Sequence, residues 1–313
     1  MSKTNIKVQL QPTIDLTGYI EGYTIQSVRL GPDQRIFVLL IDRIPDRIKG
    51  MFVQASLNAP RTYKILIIDE GQIHEVVLTN QSFHYHEIQP LQDQLLLVGA
   101  RCHYYGHNRY DLNARVCDRY GHVLHDFLLG DGIEHVQVTS EGTIWTGYFD
   151  EGIFGNYGWN PPVGQAGLLA WDAQGNRLYT NDQADIMDCY ALNVVSDEDI
   201  WFYYYTDFML GHITGGTANP QLEWINPQIS GSSGFCTDGY HFLFRGGYND
   251  SNQLFFKKRE QPGRLTGKTS IRLQGANHQL LDLAYSDFRR DQILIYSDNM
   301  LYTAAIQDIV QVI

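Results

Sequence analysis

The stretch Val136-Gln-Val-Thr-Ser-Glu141-Gly-Thr-Ile-Trp145 decides the fold. Apolar and polar residues alternate up to Thr139, an acid–glycine pair supplies a tight turn, and Ile144-Trp145 opens a second apolar run. That is the period of two strands joined by a short turn, not of a helix. The same arrangement recurs around Asp33, Asp93, Asp197, Asp238 and Asp287. If Phe37, Leu96, Trp145, Trp201, Phe242 and Leu294 are taken as anchors, the six copies follow one another about every 51 residues, close to the ~40–50 residues of a four-stranded propeller blade.

A second hairpin lies between successive anchors. It reads Gly167-Leu-Leu-Ala-Trp171-Asp-Ala-Gln-Gly175 in the third unit, and Asp118-Arg-Tyr-Gly121 marks the same turn in the second. Glycine accepts the positive φ of such a turn, and the aspartate bonds its own backbone. Two hairpins per unit make four strands, a to d. The expectation is an all-β, six-bladed β-propeller of four-stranded antiparallel blades forming one domain over 1–313. Blades are placed near 17–81, 82–130, 131–181, 182–227, 228–274 and 275–313. The last unit lacks a clear fourth strand, and the N-terminal run 7–16 is expected to supply it and close the fold. The alternative donor is Ile309 to Ile313.

Composition agrees and excludes several classes. The 313 residues include 20 Tyr, 14 Phe, 5 Trp and 29 Gly, a balance that leans toward strands and turns. Thirty-five acidic against 23 basic residues give a net charge of −12, which repels a phosphate backbone, so no nucleic-acid partner is expected. No apolar run approaches the ~20 residues of a membrane span, so no membrane partner is expected either. Met1–Lys7 holds no apolar signal core, and a cytoplasmic protein is the expectation. Cys102, Cys117, Cys189 and Cys236 form no Cys-x-x-Cys pair, so a zinc site lacks support and each is read as a small packing residue. Lys257-Lys258-Arg259 is read as a solvated edge strand.

The run Ile133–Tyr148, followed by Gly-Leu-Leu-Ala-Trp-Asp-Ala-Gln-Gly from Gly167, resembles a blade of the two-component-regulator, NHL and gluconolactonase-like β-propellers. The resemblance covers this blade well and the other five loosely. It implies ligand binding around a central channel, on the side built by the b–c and d–a loops. It also implies, as one alternative, a metal-dependent hydrolase similar to gluconolactonases. The sequence departs from that family at Tyr19-Ile-Glu21-Gly22-Tyr23, which lacks the proline of a Gly-Glu-Gly-Pro-like start.

The b–c loops carry the most distinctive residues. Asp42, Asp150, Asp207, Asp250 and Asp298 each follow strand b, with Arg101 at the matching offset in the second unit. As a set they suit Ca²⁺ or Mg²⁺ or a cationic ligand. Taken singly, they are what turn chemistry demands. On the d–a side, Glu134, His135 and Asp188 are the candidates for acid–base work, and Glu134, Asp150, Asp188 and Asp207 are the candidates for metal. The segment Gly152–Gly167 holds Phe154, Tyr157 and Trp159, whose rings offer stacking area with a polar edge. Of Tyr203-Tyr204-Tyr205, at least one belongs to the core by alternation. The candidate ligand-binding set is Tyr105, His107, Asp150, Glu151, Tyr157, Trp159, Tyr190, Asp207, Tyr248 and Asp250. The leading function is non-catalytic recognition of a small molecule, carbohydrate or protein, with no resident cofactor expected and a divalent cation as the exception.

Overall fold

A computed structural model describes residues 5–47, 53–248 and 250–313. Part of the expected loop from Asp42 to Arg61 lies outside these residues. The chain opens with β1 (Asn5–Gln9) and β2 (Ile14–Asp15). Blade one follows as β3 (Thr24–Leu30), β4 (Ile36–Ile41), β5 (Ser56–Asp69) and β6 (Gln72–Phe83). Blade two holds β7 (Glu87–Leu91) and β8 (Gln94–Val98), an inserted hairpin β9 (Tyr104–Gly106) and β10 (Arg109–Tyr110), then β11 (Ala114–Cys117) and β12 (Val123–Phe127). Blade three is β13 (Ile133–Val138), β14 (Ile144–Tyr148), the short helix α1 (Asp150–Phe154), β15 (Leu168–Trp171) and β16 (Arg177–Thr180). Blade four is β17 (Asp188–Ser196), β18 (Asp199–Tyr205), β19 (Leu210–Thr214) and β20 (Gln221–Ile225). Blade five is β21 (Phe235–Thr237), β22 (His241–Arg245), β23 (Leu254–Gln261) and β24 (Arg264–Gln274). Blade six is β25 (Tyr285–Arg289), β26 (Gln292–Ser297) and β27 (Met300–Ala305), and α2 (Ile306–Val310) ends the chain.

Among the described residues these are six antiparallel blades of four strands, the sixth completed by β2. The fold is a six-bladed β-propeller. All six anchor residues fall on the second strand of their blade and are essentially inaccessible. The chain divides into two compact units, Ile20–Cys189 and Tyr190–Ile313 with the first 19 residues.

In the unit Ile20–Cys189, Phe37, Leu39, Ile65 and Val76 of blade one pack with Ile88, Leu95 and Leu97 of blade two. Blade three adds a buried relay. The Trp171 indole N–H donates to Thr146 Oγ1 at 2.9 Å, Thr146 donates to the Tyr148 hydroxyl at 3.1 Å, and Tyr148 donates to the Leu129 carbonyl. Each donor finds an acceptor, so the polar atoms do not tax the core. The Asp-x-x-Gly turns form as their chemistry requires. Asp172 accepts the backbone N–H groups of Gln174 and Asn176 at 2.8 Å, and Gly175 sits at φ +81°.

In the other unit, Trp201, Tyr203, Phe235, Phe242 and Phe244 share one core, and Val8, Leu243, Leu273 and Ile293 belong to another. The N-terminal run does supply the fourth strand of blade six, through Ile14 and Asp15 paired with Leu301 and Met300. Its earlier part goes elsewhere: β1 pairs in parallel with β24 as a fifth strand of blade five. The other donor considered, Ile309 to Ile313, instead starts within α2. The reading of Lys257–Arg259 as an edge strand is corrected. They lie on β23, flanked by β22 and β24, and Lys257 is 2% exposed. Two of the three tyrosines at 203–205 are buried, and Tyr205 is exposed. All four cysteines are buried, and none of them forms a disulfide. Among the described residues no helix is long and apolar enough to cross a membrane.

One buried amide joins two strands and the turn between β25 and β26. Asn193 on β17 donates to the Phe235 carbonyl at 3.3 Å and the Arg290 carbonyl at 2.9 Å, and accepts the Arg290 N–H at 2.7 Å. Asn193→Leu keeps the volume but strands these groups away from water. The expected result is a loss of about 3 kcal/mol, since each orphaned group costs ~1–3 kcal/mol. A lower urea midpoint at unchanged slope checks it.

Candidate functional site

In the unit Ile20–Cys189, the site is built on Arg101, which follows β8. Its side chain is 4% exposed. Nε and Nη2 donate to the two carboxylate oxygens of Asp131 at 2.9 Å each, a bidentate fork, and Nη1 donates to Glu151. Asp131 also accepts the Cys102 N–H at 2.9 Å. Burial raises the Asp131 carboxyl above its usual range, and Arg101 pulls it back toward ionisation. A guanidinium this deep is tolerated because each of its faces and edges is engaged. Glu151 belongs to α1, so the clamp fixes the start of the Gly/aromatic loop to blade two.

Two glycines make the clamp possible. A side chain at Gly132 (φ +74°) would fall on the Gly152 backbone, and one at Gly152 would fall on the Asp131 carbonyl. The two backbones therefore touch directly. Further along, Tyr157 adopts φ +47°, a conformation a bulky residue holds only where its surroundings impose it. They do so here. Its ring lies over the Arg101 guanidinium, 4.2 Å from ring centre to charge, and 4.0 Å from the His103 ring. Its carbonyl accepts the Tyr104 N–H at 2.9 Å.

The β9–β10 hairpin packs on this loop. Trp159 donates its indole N–H to the Cys102 carbonyl at 2.8 Å, and its ring meets Tyr104 and Tyr110 at 5.1 and 5.8 Å. Tyr105 stacks on His103 and donates to Asp111 at 3.1 Å. Tyr105 and Tyr110 are 51% and 42% exposed, so the hairpin presents ring faces to solvent while Trp159 is half-buried beneath. His107 stands at the exposed hairpin tip, where it and Asn108 take positive φ. Of the candidates, Tyr105, Glu151, Tyr157 and Trp159 thus come together through one clamp. The residues that organise them (Arg101, with His103, Tyr104, Asp111 and Asp131) are not in the candidate set, because their roles rest on contacts that sequence spacing does not show. Gly106 and Asn108, both suited to the positive φ they adopt, were the local signals for the hairpin.

A separate carboxylate group lies in the same unit. The register of β13 against β14 slips between Ile133 and His135, so Glu134 sits at a bulge at the strand start. Bulges re-aim side chains in this way. Glu134 is reached by solvent yet crowded by protein, and desolvation with the Glu87 charge raises its carboxyl, against the pull of Arg29. Arg29 itself is ion-paired to Glu87. Asp188, at the start of β17, is pushed up to about 7, first by burial and then by the charges of Glu134 and Asp150. Asp150 is exposed and caps the Glu151 N–H at 2.7 Å. His135 is half-buried beside them. Among the described residues no three His, Cys, Asp or Glu side chains converge as ligands for one metal ion. Of the metal candidates, Glu134, Asp150 and Asp188 belong to this unit and Asp207 to the other.

In the unit that includes Tyr190–Ile313, Tyr190 and Tyr248 are joined by their hydroxyls at 2.8 Å. Asp207 is exposed on the turn after β18. Asp250 is ion-paired to Arg272 and caps the Asn252 N–H. Asp42 likewise accepts the Thr62 N–H. Asp150 and Asp250 therefore each serve a local turn, and Asp42 ties the end of β4 to β5.

No protein-family model and no curated protein matches the sequence. Solved structures resemble its chain path. A catalytically inactive virginiamycin B lyase from Staphylococcus aureus, solved with quinupristin, is 10% identical, with a TM-score of 0.48 over 93% of this chain and 96% of its own. The WD40 repeats of RRP9 are 11% identical, with a TM-score of 0.47 over 95% and 99%. A gluconolactonase from Xanthomonas campestris is 12% identical, with a TM-score of 0.44 over 89% and 94%. At such identities the likeness concerns fold alone.

The raised Asp188 carboxyl has a definite pH signature. Its folded-state value near 7 exceeds the ordinary 3.8, so the folded state holds the extra proton between those limits. Stability from this group is complete below about pH 4 and is lost as pH rises through 7. Buried His84 and His86, lowered to about 4 and about 3 mainly by burial, act in the opposite sense, costing stability as pH falls below 6.5. Comparing Asp188→Asn with the parent removes the histidine contribution. The variant should melt higher than the parent at pH 8, with the difference shrinking toward pH 4. Thermal melts across that range check it.

Proposed function

We propose that the protein is a non-catalytic recognition propeller whose β9–β10 hairpin and Gly152–Gly167 loop bind a hydroxyl-rich small ligand, a carbohydrate first of all. The observation that supports this reading is the clamp of Arg101 on Asp131 and Glu151 beneath exposed tyrosine rings. A surface held rigid before binding loses little ordering entropy when a ligand arrives. Tyrosine and tryptophan faces stack on the apolar faces of sugars, and the Tyr105–Asp111 pair supplies polar groups at the edge. The alternative, a metal-dependent hydrolase similar to gluconolactonases, would draw on the raised Glu134 and Asp188 carboxyls.

Calorimetric titration with neutral hexasaccharides of glucan, chitin, xylan and mannan type tests the proposal. At least one should bind saturably without being cleaved. Tyr110→Ala should weaken it about tenfold, in the range of a single aromatic contact, with an unchanged circular dichroism spectrum. Cleavage of the bound sugar would overturn the non-catalytic part. Absence of binding across the panel would overturn the carbohydrate part.

A further inference from the structure

The unit containing Tyr190–Ile313 carries an aromatic cluster that the carbohydrate reading does not use. Tyr190 is its hub. Its ring lies 6.0 Å from Tyr205, 6.3 Å from Phe208 and 6.3 Å from Tyr248, at interplanar angles of 15°, 53° and 83°. Phe208 closes the figure, 5.5 Å from Tyr205 at 62° and 6.4 Å from Tyr248 at 75°. Four rings from three segments (the start of β17, the end of β18 with the turn after it, and the loop after β22) therefore gather, Tyr190 and Tyr205 nearly parallel and Phe208 and Tyr248 steeply inclined to them. Tyr203 floors the cluster, fully buried, 6.2 Å from Phe208 and 6.5 Å from Tyr190.

This grouping is held, not incidental. Phe208 takes φ +53°, which turns its ring back over the strand it has just left, and a bulky residue keeps that conformation only under constraint. Tyr248 is 67% exposed but does not swing freely. Its hydroxyl is bonded to that of Tyr190, and its ring lies so close over Gly231 (φ +72°) that any side chain there would collide with it. Tyr205 is 40% exposed. A soluble surface gains nothing from fixing large rings in contact with water unless they meet something.

The charge around the cluster selects what they meet. The ring faces are the negative poles of the aromatic quadrupole. Asp207, between Tyr205 and Phe208, is exposed, and the chain carries a net −12. Arg245, the cation on the neighbouring strand end, is turned to the Ser251 carbonyl at 3.1 Å. We propose that Tyr190, Tyr205, Phe208 and Tyr248 form an aromatic site for a methylated ammonium group, such as a choline-like headgroup or a trimethylated amine. Such a cation is large and weakly hydrated, so several rings compensate its lost water where a simple ammonium would keep its own.

Choline and its neutral isostere 3,3-dimethyl-1-butanol separate charge from shape. Titrated into the full chain and followed by tyrosine fluorescence, choline should saturate, and the isostere should bind about tenfold more weakly, the range of a partly desolvated cation–π contact. Tyr248→Leu should abolish choline binding and Tyr248→Phe should retain most of it, which distinguishes ring loss from misfolding. Equal binding of the two ligands would overturn the proposal in favour of a plain apolar contact. No choline binding, or choline binding that survives Tyr248→Leu, would overturn it outright. The carbohydrate reading is tested on different rings with different probes, so failure of either leaves the other standing.

Discussion

A charge taken out of water must be fully answered, and the chain answers Arg101 with two carboxylates and an aromatic face. Removing one partner of such a buried pair costs ~3–5 kcal/mol because the other is left stranded. That penalty makes the arrangement specific. Asp131 lies between blades two and three, and Glu151 opens α1 of blade three, so satisfying one side chain fixes the path of two loops at once. The Gly132–Gly152 backbone contact, the left-handed Tyr157 and the Trp159 hydrogen bond to Cys102 follow from that closure. An exposed aromatic surface can then be rigid without being buried.

The rest of the fold solves the same problem more cheaply. Strand-borne tyrosines, and an asparagine just ahead of β11, reach carbonyls that no strand partner can satisfy. Tyr148 bonds Leu129, Tyr203 bonds Ile229 at 2.7 Å, and Asn113 donates to Gly99 and Gly130 at 2.8 Å each. These carbonyls lie where the chain leaves regular pairing, and a buried orphan there would cost as much as a lost core contact. The unusual tyrosine content thus has two uses. Some phenols are internal connectors whose burial drives their pKa upward, as at Tyr148 and Tyr203. Others, Tyr105, Tyr205 and Tyr248 among them, present their rings outward.

The architecture was legible because each blade repeats a local rule. Alternation around Trp145 and Trp201, and the aspartate–glycine turns at Asp118 and Asp172, act over a few residues and need no knowledge of the whole. The fate of the N-terminal run was only half legible. Its strand character is local, but which blade each half joins is decided by edges elsewhere in the unit, and β1 found the edge of β24. The position of Lys257 was hidden for a different reason: composition marks a lysine as a surface residue, but β23 is flanked by β22 and β24. The site divides likewise. Tyr157 and Trp159 stood out as aromatics in a glycine-rich loop. Arg101 gave no comparable signal, since its value comes from Asp131 and Glu151, 30 and 50 residues away. The aspartates after strand b were legible as residues but not as a set, because Asp42, Asp150 and Asp250 are each committed to a neighbouring backbone N–H.

The central claim is that the Arg101 clamp makes the Gly152–Gly167 region a preformed surface. Amide hydrogen exchange of the unliganded protein tests it most directly. The account predicts slow exchange at Phe149, Ile153, Gly155 and Trp159, whose N–H groups are bonded within or beneath the loop, and selective loss of that protection in Arg101→Met while blade one stays protected. Fast exchange at these amides in the parent protein, or protection unchanged by the substitution, would contradict it.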